Sequence, residues 1–194
     1  LLNGVIGLSA ADIALSDDGK TAVCWRDQNG ISCSAHSDGG ISAEAPVGLG
    51  GAAQSFNPRV LFDPQSQAHV TYESIGAVGG QFTLLIEHAT LPGGQVEAAE
   101  TYSGYQTAAA PELAISASGV LHVLYQVNLP SRKLALRHAQ KAPGGTWQVE
   151  TVDCSVSANF GKAIAIDPSG VPWILYSHDL GTNSGAAKPY LAHP

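Results

Sequence analysis

An internal repeat constrains this chain more than any other feature. Four segments align: Asp12-Ile13-Ala14-Leu15-Ser16-Asp17-Asp18-Gly19, Arg59-Val60-Leu61-Phe62-Asp63-Pro64-Gln65-Ser66-Gln67, Glu112-Leu113-Ala114-Ile115-Ser116-Ala117-Ser118-Gly119 and Ala163-Ile164-Ala165-Ile166-Asp167-Pro168-Ser169-Gly170. Each is a short apolar run that ends in Asp, Ser, Pro or Gly, the signature of a strand running into a tight turn. An aromatic recurs on the strand after the turn, as Trp25, Tyr72, Tyr125 and Tyr176. A third strand is marked by His36, His88, His138 and His193, and in the first three units a glycine pair follows: Gly39-Gly40, Gly93-Gly94 and Gly144-Gly145. A fourth strand leads away from each pair, as in Thr146-Trp147-Gln148-Val149-Glu150-Thr151-Val152.

The unit is therefore four short antiparallel strands repeated about every ~50 residues, the period of β-propeller blades. No segment has a helical period, so the fold class expected is all-β, a β-propeller with four repeats present, complete or as part of a larger ring. The blades fall at approximately 11–49, 58–101, 111–153 and 162–194 within a single domain or fragment, 1–194. The last lacks its outer strand, which residues 1–8 can supply by pairing across the chain ends. Without that closure, exposed blade edges call for a partner, hence an oligomer or larger assembly. The chain has no methionine and starts Leu1-Leu2-Asn3, which reads as a processed or excised piece of something longer.

Composition narrows the partners. The net charge is −7, with 9 Lys and Arg against 16 Asp and Glu, and no basic stripe is present to bind a nucleic-acid backbone. No apolar run approaches the ~18 residues of a membrane-spanning helix. There is no nucleophile elbow, phosphate loop, zinc helix or dinucleotide fingerprint, and no cofactor is expected.

The turn between the third and fourth strands of the first unit reads His36-Ser37-Asp38-Gly39-Gly40-Ile41-Ser42-Ala43. It resembles the Asp-box of the sialidase-like propellers, Ser-x-Asp-x-Gly-x-Thr-Trp: Asp38 and Gly40 match, and Ser42 substitutes for the threonine. His36 and Ala43 depart from the pattern. The third unit keeps Gly145-Thr146-Trp147 without the aspartate, and the second keeps only its glycines. The wider pattern is similar to bacterial secreted repeat propellers of that Asp-box (BNR-type) group. The resemblance implies a structural rim turn for Asp38 and a secreted, periplasmic or cell-surface location.

Sialidase chemistry in that family uses three arginines to clamp a carboxylate, a Tyr/Glu nucleophile pair and an acidic proton shuttle. The chain has four arginines, Arg26, Arg59, Arg132 and Arg137, and only Arg59 stands at the start of an innermost strand. Asp12, Arg59 and Glu112 occupy that same place in three repeats, and Lys162 sits one residue before it in the fourth. In a propeller these starts crowd one mouth of the central channel. The charges there either hold a polar ligand, with an Asp/Glu pair competent for glycoside hydrolysis, or neutralise one another.

The four repeated histidines would diverge from the axis and pack as structural side chains, so no metal site is expected. Cys24 and Cys33 flank the hairpin turn Asp27-Gln28-Asn29-Gly30 at nearly opposing positions; they form either a disulfide, as suits an exported protein, or two buried thiols. The second-strand aromatics read as core. Connector aromatics Phe56, Tyr105 and Phe160, with Arg59, Glu112 and Lys162, are the ligand-binding candidates, flanked by loops over 74–81 and 178–188. These features point to a non-catalytic exported propeller that binds carbohydrate or protein or serves in a structural assembly. The alternative is a glycoside hydrolase of the sialidase-like propeller type acting at the channel mouth.

Overall fold

The computed structural model describes residues 10–27, 30–36, 47–49, 54–78, 81–103, 108–128, 134–156, 162–179 and 187–192. Every regular element among them is a strand. The chain divides into two compact units, Leu1–Tyr105 and Gln106–Pro194.

The first unit holds two antiparallel four-stranded sheets, each in sequence order. One comprises β1 (Ala11–Leu15), β2 (Thr21–Asp27), β3 (Gly30–His36) and β4 (Val47–Leu49). The other comprises β5 (Gln54–Phe62), β6 (Ala68–Val78), β7 (Gln81–Leu91) and β8 (Glu97–Ser103). In the second unit, β9 (Ala108–Ile115), β10 (Leu121–Asn128), β11 (Leu134–Lys141) and β12 (Gln148–Val156) form a third meander of the same kind. There follow β13 (Lys162–Ile166), β14 (Pro172–Asp179) and β15 (Ala187–Ala192), joined to β12 by a single pairing, Val156 with His178. Residues 1–8, assigned from sequence to a closing strand, lie outside the described residues, as do Asp38 and the rest of residues 37–43 of the Asp-box-like turn.

One turn, used four times, explains why these sequences form hairpins. Ser16, Asp63, Ser116 and Asp167 each follow an innermost strand, and the backbone N–H of each donates to the carbonyl four residues on. The side chain closes the turn from inside. Ser16 Oγ accepts from Lys20 N at 2.8 Å and Ser116 Oγ from Val120 N at 3.0 Å. Asp63 Oδ1 accepts from Gln65 N and Gln67 N, and Asp167 Oδ1 from Ser169 N and Val171 N. Such side-chain acceptors satisfy amides that no ladder reaches. Hydrogen bonds from Ser169 and Val171 hold the Asp167 carboxyl down to about 2.

Beyond each turn the second strand carries the core: residues 68–74 of β6 and 121–127 of β10 are buried without a break, whereas β14 alternates. Trp25, Tyr72, Tyr125 and Tyr176 are all buried. In the first unit Ala22, Cys24 and Cys33 of one sheet share a core with Val60, Val70 and Tyr72 of the next. In the second, Leu124 and Leu136 pack with Ile174 and Tyr176.

Three readings from sequence need correction. The marker histidines do not share a register position. His88 pairs opposite Thr71 and His138 opposite Leu124, but the residue at that place in the first sheet is Cys33, opposite Cys24, and in the fourth it is Leu191, opposite Leu175. His36 stands three residues further on, opposite Thr21, and His193 lies outside the described residues. The histidines mark the third strand in the sequence, whereas cross-strand pairing sets the register. The supposed loop 74–81 is instead a prolongation of the β6–β7 hairpin, paired as far as Val78 with Gln81. Likewise β14 and β15 pair out to His178 with Lys188 and Asp179 with Ala187.

Candidate functional site

The register aligns one positional set, but Arg59 and Glu112 lie inside β5 and β9 rather than at the strand starts expected from sequence, because both strands pair further back than the apolar run predicts. Asp12, Arg59 and Glu112 stand opposite Cys24, Thr71 and Leu124, equivalent places in three sheets, and Lys162 stands opposite Tyr176, one place earlier than its counterpart. Asp12 and Arg59 belong to the first unit, Glu112 and Lys162 to the second.

Within the first unit, one side chain of this set ties two strands together. Asp12 Oδ2 accepts the backbone N–H of Val60 at 3.0 Å, so its carboxylate pins β5 to β1 beside Arg59. On the neighbouring strand, the Arg26 guanidinium lies over the Phe56 ring at 4.1 Å from the centroid, a cation–π contact. Between Phe56 and Arg59 the β5–β6 ladder shifts register, and Asn57 takes a left-handed φ of 52°. That bulge turns the Asn57 side chain to donate from Nδ2 to Oε1 of Glu73, a buried carboxylate on β6. Phe56, Asn57 and Arg59 are each half-buried. The outcome is a rim where the Phe56 ring, the Arg26 guanidinium and the Asn57–Glu73 hydrogen bond come together, with Arg59 three residues along β5 from Phe56.

Of the residues singled out from sequence, Phe56 lies in strand β5 rather than in a connector, because its pairing with Glu73 continues the ladder beyond the bulge. Tyr105 and Phe160 lie outside the described residues. Glu112 and Lys162 are half-buried in their own unit. Arg26, Asn57 and Glu73 were not anticipated, although the Asn57-Pro58 step was the available signal for a break in the ladder.

Cys24 and Cys33 are disulfide-bonded across β2 and β3, with Cα atoms 4.1 Å apart, and both are buried. Cys154 is a free thiol, exposed on β12. Among the described residues no group of three or more His, Cys, Asp or Glu is placed to hold a metal ion.

The neighbouring Tyr72 and Glu87, direct cross-strand partners, deserve a chemical test as a nucleophile pair. Tyr72 is fully buried, and burial, with the Glu87 carboxylate beside it, pushes the phenol far above its usual range. Such a phenol stays protonated and packs as core. A cavity of about 320 Å³ opens at the opposite end of the first unit, lined by Lys20, His36, Phe62 and Gln67 among others. Three of its polar walls are engaged within the chain: Lys20 with Asp18, His36 with Ser34, and Gln67 with the Leu91 carbonyl.

Solved structures decide the architecture. An α-L-arabinanase from Penicillium chrysogenum, complexed with arabinobiose, superposes with a TM-score of 0.67 at 12% identity, over 95% of this chain and 62% of that one. A microbial sialidase, Hadza Hz136, gives 0.61 at 14% identity, over 94% and 43%. The chain has the β-propeller fold. An α-L-arabinofuranosidase from Fusarium graminearum also matches, with a TM-score of 0.58 at 14% identity, over 94% of this chain and 61% of that one. This propeller chain thus spans about three fifths or less of the length of these neighbours. No family model and no curated relative matches it. At these identities the likeness is one of fold.

Proposed function

We propose that the chain is a non-catalytic, exported β-propeller module, all or part of one propeller domain, that binds carbohydrate at the rim built from Arg26, Phe56, Asn57 and Arg59. The observation that carries this reading is the Arg26–Phe56 stack, three residues along β5 from Arg59. A half-exposed aromatic face next to guanidinium donors suits a ring of hydroxyl groups, which need one apolar platform and directed hydrogen bonds. Three neighbours of the same fold act on, or are solved with, sugars by their own descriptions, which lends the ligand class support.

Against catalysis stand two physical points. The Asp12 carboxylate is occupied with the Val60 amide, and the buried Tyr72 phenol is unfit to be a nucleophile. The alternative, a glycoside hydrolase using Asp12 or Glu112 with Arg59, draws its support from the enzymes among the structural neighbours.

Titration calorimetry with arabinobiose and with a sialylated trisaccharide, coupled to product analysis, separates the two. Binding without turnover is expected, weakened at least tenfold, or about 1.4 kcal/mol, by Arg59→Ala or Phe56→Ala. Release of monosaccharide that disappears in a folded Glu112→Gln variant would establish the hydrolase instead.

A further inference from the structure

Two sheets contain a buried relay that the candidate rim does not use. In the second sheet, His69 Nδ1 and His88 Nε2 are 3.0 Å apart, His88 Nδ1 meets Glu97 Oε1 at 2.9 Å, and His69 Nε2 faces Asp63 Oδ2 at 3.2 Å. In the third sheet, His122 Nδ1 and His138 Nε2 are again 3.0 Å apart, and His138 Nδ1 meets Glu150 Oε1 at 2.8 Å. The ring pairs are stacked alike, with centroids 5.2 Å apart in both.

The carboxylate fixes the tautomers. A carboxylate only accepts, so His138 carries its proton on Nδ1 and leaves Nε2 bare. His122 must then donate from Nδ1, which leaves its own Nε2 as the last atom of the chain. That atom is buried with no hydrogen-bond partner. The same logic run through Glu97 and His88 brings the second sheet to His69 Nε2, where Asp63 waits as an acceptor.

The difference traces to the turn. Its capping residue is an aspartate at 63 and 167, whose second carboxylate oxygen reaches the side chain six residues on: His69 in one case and Trp173 Nε1, at 3.2 Å, in the other. In the third sheet the cap is Ser116, whose only oxygen is already engaged with Val120 N and Ser118. His122, six residues after Ser116, therefore has nothing to receive a second proton.

We propose that the His122–His138–Glu150 relay is an acid-released latch on the third blade, and that the Asp63-capped relay of the second blade is its acid-tolerant counterpart. A proton on His122 Nε2 would put an imidazolium in the core with an unsatisfied donor and a second imidazole against it. Burial first, and His138 second, hold the His122 imidazole down to about 4. A folded-state value below the unfolded one of ~6.5 means that proton uptake favours the opened blade, so protection is lost as pH falls from about 6.5 towards 4. The charged and titratable groups on the neighbouring strands are Glu112 on β9, Arg137, His138 and Lys141 on β11, Glu150, Asp153 and Cys154 on β12, Lys162 on β13, and Tyr176, His178 and Asp179 on β14. None of these except His138 adds a charge effect on His122.

Hydrogen exchange of the whole chain, read by mass spectrometry at pH 7 and pH 5 against an unfolded control, tests the latch. Peptides from β9–β12 should lose protection roughly twentyfold on acidification, and those from β5–β8 far less. Ser116→Asp supplies the missing acceptor and should abolish most of that loss. Asp63→Ser should transfer the loss to β5–β8. Equal responses in the two sheets, or an undiminished loss in Ser116→Asp, would overturn the proposal. Should either variant fail to fold, imidazole ¹⁵N shifts of the wild-type chain decide: His122 still neutral at pH 5 supports the latch, and a midpoint near that of a free imidazole refutes it.

Discussion

Gly94 and Gly145 occupy equivalent turns, each just after a glycine with positive φ, Gly93 at 69° and Gly144 at 70°. A side chain would meet different surroundings at the two. A Cβ on Gly94 would stand 2.7 Å from the Thr90 backbone nitrogen and closer still to its carbonyl oxygen and hydroxyl. On Gly145 the nearest atom would be the Ala142 carbonyl oxygen, at 3.1 Å. Backbone cannot swing aside as a flexible side chain can, so Gly94→Ala should cost about 3 kcal/mol. Gly145→Ala should cost about 1 kcal/mol or less. Urea denaturation of the two variants measures the contrast, and equal midpoints would refute it. Both glycines were legible in the sequence as turn residues. The distinction between them was not, since it depends on which carbonyl closes the turn: that of Thr90, four residues back, for the Gly94 amide, and that of Ala142, three back, for the Gly145 amide.

One register place on the third strands is filled in three ways: by Cys33 in the first sheet, by His88 and His138 in the next two, and by Leu191 in the last. The first two choices fasten the third strand to the second by different chemistry, covalent or hydrogen-bonded, whereas Leu191 and its partner Leu175 are exposed. Because the Cys24–Cys33 bridge closes a loop with a sequence separation of only 9, its effect on the unfolded chain is modest, about 2–3 kcal/mol. Cys24→Ala with Cys33→Ala, compared with the oxidised chain in denaturant, should show that loss. A thiol titration of the unfolded wild type should find Cys154 alone. Three reactive thiols per chain would mean that the bridge is not formed. The strands themselves were readable because every turn announces itself by a Ser or Asp cap and every second strand by an aromatic. What failed was the alignment of the third strands. Sequence offered histidine as the recurrent mark, yet the pairing partner of Cys24 is cysteine, and the equivalence of Cys33 with His88 and His138 exists only in the ladder. The rim suffered similarly: Arg26, Asn57 and Glu73 come from three strands, and a left-handed residue at a bulge brings two of them together.

Each end of the repeat series presents an apolar face to water. On β1, Ile13 and Leu15 are exposed, Leu15 at 73%. On β14 and β15, Trp173, Leu175 and Leu191 are exposed, Leu191 at 63%. Their neighbours on the same strands explain the pattern. Ala14 of β1, and Ile174 and Tyr176 of β14, point the other way and are buried, so strand alternation has sent one apolar set into the core of each unit and left the other outside. Interior blades of a propeller bury both faces, which is why both sets are apolar in the sequence. Clustered aliphatic and aromatic side chains on a sheet face are costly to leave hydrated and favour association. At tens of micromolar, light scattering should therefore find particles heavier than the 19.9 kDa chain. Leu15→Lys or Leu191→Lys should return the mass towards that of one chain, because a lysine ammonium resists burial while its stem leaves the strand intact. A mass of one chain at every concentration would mean that these faces do not drive self-association. If the mass falls in only one of the two variants, association runs through that face meeting its own copy; if it falls in both, the two faces meet each other, head to tail.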